Sequence, residues 1–172
     1  MKSFLRKALT ITKGIQTDVP TTYVPPSEGT QPKSENILPR ALVLRTRGYI
    51  EKVTNQFNGC YEQGWFDACA VMMRRLLETL IIECFEVNGI AYKIKDPKTD
   101  DFFYLSKLIT KLHQEQMWNL GRNVKKALPN LKEMGDLSAH SRRYNAHRED
   151  IDKLTHDFRI VCQELIYLAK LK

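Results

Sequence analysis

The 172-residue chain has no apolar run near the roughly 18 to 20 residues that a membrane-spanning helix needs. Its longest such stretch, residues 76–85, is broken by Glu78 and Glu83, so no membrane association is expected. At the N-terminus, Arg6 and Lys7 interrupt what would be the apolar core of a signal peptide, and a cytoplasmic location is expected. Cysteine is sparse and scattered. Cys60, Cys69, Cys84 and Cys162 form no C-x-x-C pair, which argues against a thiolate zinc site and a disulfide framework. Each sits among apolar residues at helical spacing and reads as a small, reduced core residue. No Gly-rich phosphate loop, no H-E-x-x-H and no period-2 strand pattern is present. His147 and His156, nine residues apart, do not share a helical face. No metal and no cofactor is expected.

What is present suits one soluble domain with a small appendage. Hydrophobic residues make up 42% and charged residues 27%, so wholesale disorder is excluded. The formal charge of +7 is uneven. Residues 1–50 carry 8 basic and 3 acidic side chains, residues 51–118 carry 8 and 10, and residues 119–172 carry 11 and 7. Two basic ends around a near-neutral middle allow an anionic partner.

Residues 1–15 can form a short basic amphipathic helix through Phe4, Leu5, Ala8, Leu9 and Ile15. Pro20, Pro25, Pro26 and Pro32, mixed with Ser and Thr, then predict an extended arm that is open to a protein partner. Residues 1–35 are thus set apart from a helical domain over 36–172. Ile50, Val53, Phe57 and Cys60 predict a first helix over 40–62, stopped at Gly64. The second, over 65–87, is apolar around more than half its circumference and should be the buried centre. Asn88-Gly89 ends it. A third helix is predicted over 101–114, short pieces over 119–127 and 130–138 on either side of Pro129, and a last helix over 149–170. The expectation is an all-α bundle of four main helices plus short helical pieces.

Chemistry concentrates in residues 135–148, read as a connection between helices. There two His (His140, His147), three Arg (Arg142, Arg143, Arg148) and Tyr144 fall within 14 residues. Arginine presents planar donors to phosphate, histidine exchanges protons near neutral pH, and tyrosine stacks on bases. Together they suit RNA binding, or attack of a 2′-hydroxyl on the adjacent phosphate with His as base and Arg stabilising the developing charge. The bland alternative is a solvated basic loop capping the final helix. A second polar group, Arg74, Arg75 and Glu78, lies on the central helix. It is either an exposed ion-pair face or a place where one Arg turns toward the 135–148 connection.

Two runs carry a family resemblance. Tyr61-Glu62-Gln63-Gly64-Trp65-Phe66-Asp67-Ala68-Cys69-Ala70-Val71-Met72-Met73-Arg74-Arg75-Leu76-Leu77-Glu78 resembles the helix-turn-helix entry of a widespread uncharacterised bacterial and phage domain, with its Arg-Arg-x-Leu-Glu ending. Gly135-Asp136-Leu137-Ser138-Ala139-His140 resembles that domain's Gly-Asn-x-x-Ala-His signature, and Leu105-Ser106-Lys107-Leu108-Ile109-Thr110-Lys111-Leu112 its third-helix pattern. The likeness spans about residues 40–171. The domain is similar to the HEPN superfamily of nucleotide-binding helical proteins. These are four- to five-helix bundles, commonly dimers, and many are metal-independent ribonucleases with an Arg-x(4–6)-His motif, often with Asn after the Arg.

The resemblance implies a HEPN-like bundle that forms a homodimer. His140 takes the catalytic His position and Asp136 the Asn position, while Gly135 stands where active members carry Arg. Arg142-x-x-x-x-His147 also has the bare spacing. The resulting expectation is a non-catalytic HEPN-like module binding RNA, a nucleotide or a protein partner in a prokaryotic or phage defence or stress context. The alternative is a metal-independent ribonuclease using His140 with Arg142 and Arg143 across a dimer. Arg74, Arg75, Glu78, Tyr144 and Arg148 are the accompanying binding residues.

Overall fold

A computed structural model describes residues 36–172. The basic segment and arm expected over 1–35 lie outside the described residues. The described chain is all-α. In order come α1 (Arg40–Val43), α2 (Gly48–Glu62), α3 (Phe66–Val87), a 3-10 turn (Ala91–Ile94), α4 (Leu105–Gln114), α5 (Arg122–His140) and α6 (Arg148–Leu168). Among the described residues there is no strand, only one isolated antiparallel bridge between Lys95 and Phe102.

The apolar circumference of α3 makes it the central helix. Cys69, Ala70, Met73, Leu76, Leu77, Leu80, Ile81, Cys84 and Phe85 are all buried, and α3 packs against α2, α4, α5 and α6. Each such leucine or phenylalanine removed from water contributes about 1.5–3 kcal/mol. Phe57 of α2 meets Phe158 of α6 edge-on at 5.5 Å, closing the core behind α3. A buried Asn58 fastens the entering chain. Its side-chain oxygen accepts the Ile37 and Leu38 amides at 3.0 and 3.2 Å, and its amide donates to the Leu38 carbonyl at 3.0 Å.

Gly64 and Gly89 end α2 and α3 in the left-handed region, at φ 75° and 71°. In both cases the next residue's amide reaches back five residues, Trp65 to Cys60 and Ile90 to Phe85. This is the hydrogen-bonding pattern that glycine permits at a helix end.

Three boundaries differ from the sequence expectation. The helix expected over 40–62 is broken between Val43 and Gly48, where Arg45 takes φ 68° and its amide donates to Glu51 at 2.9 Å. The third helix starts at Leu105 rather than Asp101, because the Phe103 amide is bonded to the Ile94 carbonyl. The two pieces expected around Pro129 are one helix, α5. Proline removes one backbone donor. However, Val124, Ala127, Leu128, Leu131 and Gly135 continue an unbroken buried stripe across it, and this packing outweighs the lost bond.

All four cysteines are free. Cys69, Cys84 and Cys162 are buried and Cys60 is half-buried. Burial pushes the thiols of Cys69 and Cys84 up to about 12 and raises those of Cys162 and Cys60.

Candidate functional site

The glycine–aspartate–histidine run is helical rather than part of a loop. Gly135 to His140 form the last turns of α5, and only residues 141–147 connect α5 to α6. Lys132, Asp136 and His140 are spaced four residues apart, so they stack along one shoulder of α5. With Pro129, Glu133, Leu137 and Ser141 they line an open depression of about 580 Å³.

Arg74 of α3 reaches this shoulder. Its Nε donates to Asp136 Oδ1 at 2.8 Å, and its guanidinium lies 3.5 Å from Glu78. Lys132 bonds the other oxygen of Asp136. Burial alone would raise the Asp136 carboxyl, but the bonds from Lys132 and Arg74 outweigh it and hold the carboxyl below its usual range. Of the two arginines on α3, Arg74 is therefore the one turned toward residues 135–148. Arg75 is exposed and forms no ion pair among the described residues.

The approach of α3 explains Gly135. A Cβ built there would stand 2.6 Å from the Cβ of Arg74 and 2.8 Å from its Cδ. The space beside Gly135 is filled by the stem of an arginine from another helix. That guanidinium is held by Asp136 and Glu78.

The 141–147 connection is tied down at several points. The Ala146 amide donates to Asp67 Oδ1 of α3 at 2.9 Å. Ser141 Oγ accepts the Tyr144 amide at 3.2 Å. The His147 amide donates to Asp150 Oδ2 at 3.0 Å, at the start of α6. The Tyr144 hydroxyl sits 3.3 Å from Asp150 and 3.2 Å from the Met134 sulfur; burial and the neighbouring carboxylate raise its pKa. Arg148 lies over the rings of Tyr61 (4.7 Å) and Phe66 (5.5 Å) and donates to the Tyr61 hydroxyl at 3.1 Å. That hydroxyl in turn bonds Asp152.

The residues singled out in the sequence thus divide. Asp136, Arg74 and Glu78 form an inter-helix ion cluster, while Tyr144 and Arg148 brace the connection. His147 begins α6. His140, Arg142 and Arg143 are exposed, and neither arginine side chain forms a hydrogen bond or ion pair among the described residues. Sequence reasoning missed Lys132, although its i, i+4 relation to Asp136 was visible. It also missed Asp67, whose bond to Ala146 spans 79 positions and leaves no local trace.

Among the described residues, no group of three or more His, Cys, Asp or Glu is arranged to hold a metal ion, and no helix is long and apolar enough to cross a membrane. No curated protein and no solved structure matches the chain significantly. The model of one family, described as a domain of unknown function (DUF4145), matches residues 55–172, and the chain belongs to that family.

Proposed function

We propose that the chain is a non-catalytic helical module that binds RNA through the end of α5 and the 141–147 connection. The observation that carries this is the contrast within the connection. Its backbone is anchored by Asp67, Ser141 and Asp150, while Arg142 and Arg143 remain exposed and unpaired among the described residues. A braced loop that presents free guanidinium groups loses little conformational freedom when it meets phosphate.

Two features favour binding over cleavage. By the resemblance to HEPN proteins, Gly135 falls where active members carry arginine, and the adjoining space is taken by Arg74. The Arg74 guanidinium is committed to carboxylates rather than to a reacting phosphate.

The test is fluorescence anisotropy with a labelled single-stranded RNA at about 50 mM and about 200 mM salt, where phosphate contacts weaken steeply. Binding should fall about tenfold in Arg142→Gln/Arg143→Gln. The RNA should be recovered intact after incubation in EDTA. Cleavage in EDTA that disappears in His140→Ala would establish the ribonuclease alternative instead, with His140, Arg142 and Arg143 acting across a homodimer.

A further inference from the structure

The basic character does not stop at the connection. From Arg122 to Arg148 the chain holds seven Lys and Arg (Arg122, Lys125, Lys126, Lys132, Arg142, Arg143, Arg148) against two acids, Glu133 and Asp136. Asp136 is paired with Arg74 and Lys132, so Lys132 offers no free charge and the excess rests on the other basic residues. Position along the helix sharpens this excess. The buried stripe of α5 runs through Val124, Ala127, Leu128, Leu131 and Gly135. Arg122, Lys125, Pro129, Lys132, Asp136 and His140 follow one another at steps of three or four residues and occupy a different, outward shoulder. Arg122, Lys125 and Pro129 are exposed, and neither Arg122 nor Lys125 forms an ion pair among the described residues.

We infer that this shoulder is a linear track for one nucleic-acid strand, running from Arg142 and Arg143 past His140 and Lys132 to Lys125 and Arg122. The inference rests on the RNA-binding function proposed above and extends it from a loop contact to a footprint of defined length. A compact anion would need basic groups converging on a point. Here they are strung out along the length of one helix, the arrangement complementary to a linear polyanion. From Arg122 to His140 the helix rises about 27 Å at 1.5 Å per residue. At about 3.4 Å per nucleotide of a stacked strand, that spans about eight nucleotides. Pro129 sits mid-track without a long side chain to obstruct a strand, and the 580 Å³ depression lies beside it.

The experiment uses the full chain and fluorescein-labelled oligouridylates of about four and about twelve nucleotides, shorter and longer than the track. Wild type should bind the longer RNA more tightly. Arg122→Gln/Lys125→Gln should bind the shorter RNA as wild type does. It should bind the longer one about tenfold more weakly, with a salt slope shallower by about 1.4, the value for two lost phosphate contacts on a single strand. Wild-type affinity for the longer RNA in this variant overturns the track and leaves the loop site standing. Loss in this variant but not in Arg142→Gln/Arg143→Gln overturns the loop site and leaves α5 as the binding face. If wild type binds neither RNA but binds oligoglutamate, both fall, and the surface serves an acidic protein. If it binds none of the three, both fall.

Discussion

Gly135 of α5 and Arg74 of α3 meet with no room for another carbon: a Cβ at 135 would lie 2.6 Å from Arg74 Cβ. Gly135→Ala should therefore lower stability. Alanine's better helix propensity returns at most about 1 kcal/mol, and overpacking against a fixed helix costs about 1–3 kcal/mol, so the net sign is destabilising. Because the first clash is with Cβ, Arg74→Ala should fail to rescue Gly135→Ala. A thermal-melt double-mutant cycle should give a coupling below about 0.5 kcal/mol. Full rescue would show that the flexible end of Arg74, not its stem, sets the packing.

The long-range bond from the Ala146 amide to Asp67 predicts a local effect on dynamics. In Asp67→Ala the Ala146 amide should lose hydrogen-exchange protection while α3 amides around Leu77 keep theirs, and global stability should drop by about 1 kcal/mol. Unchanged exchange at Ala146 would remove Asp67 as an anchor.

The Tyr61 hydroxyl accepts from Arg148 and donates to Asp152. Tyr61→Phe keeps the ring beneath the guanidinium and deletes both bonds, whereas Tyr61→Phe/Arg148→Ala deletes the ring contact as well. The second change should be the more destabilising, by about 1 kcal/mol. Equal losses would mean that the ring–guanidinium contact contributes nothing.

His113 gives a pH dependence. Burial, reinforced by the nearby Lys125 charge, lowers its pKa below the ordinary 6.5. Between the two values the unfolded chain binds a proton that the native chain does not, so stability falls as pH drops through this range. Wild type should therefore lose more melting temperature than His113→Gln between about pH 7.5 and about pH 5. Parallel losses would place the acid sensitivity elsewhere.

Helix identity was legible where packing and pattern agree. The near-continuous apolar circumference of α3 predicted its central place, and Gly64 and Gly89 marked the ends of α2 and α3. The misreadings share a cause. Pro129 reads as a stop because its local penalty is visible in sequence, while the buried stripe that carries α5 through it is a tertiary effect. In sequence the polar run at 135–148 reads as one connection, but half of it is helix. Its Asp136 and Tyr144, which look like chemistry in a list of residues, are spent on Arg74, Lys132 and Asp150. The exposure of Arg142 and Arg143 follows from those commitments and needed the fold to be seen.

The burial of three thiols has a practical consequence. With Cys69 and Cys84 raised to about 12 and Cys162 raised as well, a thiol reagent near neutral pH meets almost no thiolate in the closed molecule. These cysteines sit on α3 and α6, the two longest helices among the described residues. They become reactive only when those helices part. The rate at which a thiol reagent consumes them is thus a built-in clock for core opening, read without any introduced cysteine, while half-buried Cys60 reports on the intact surface.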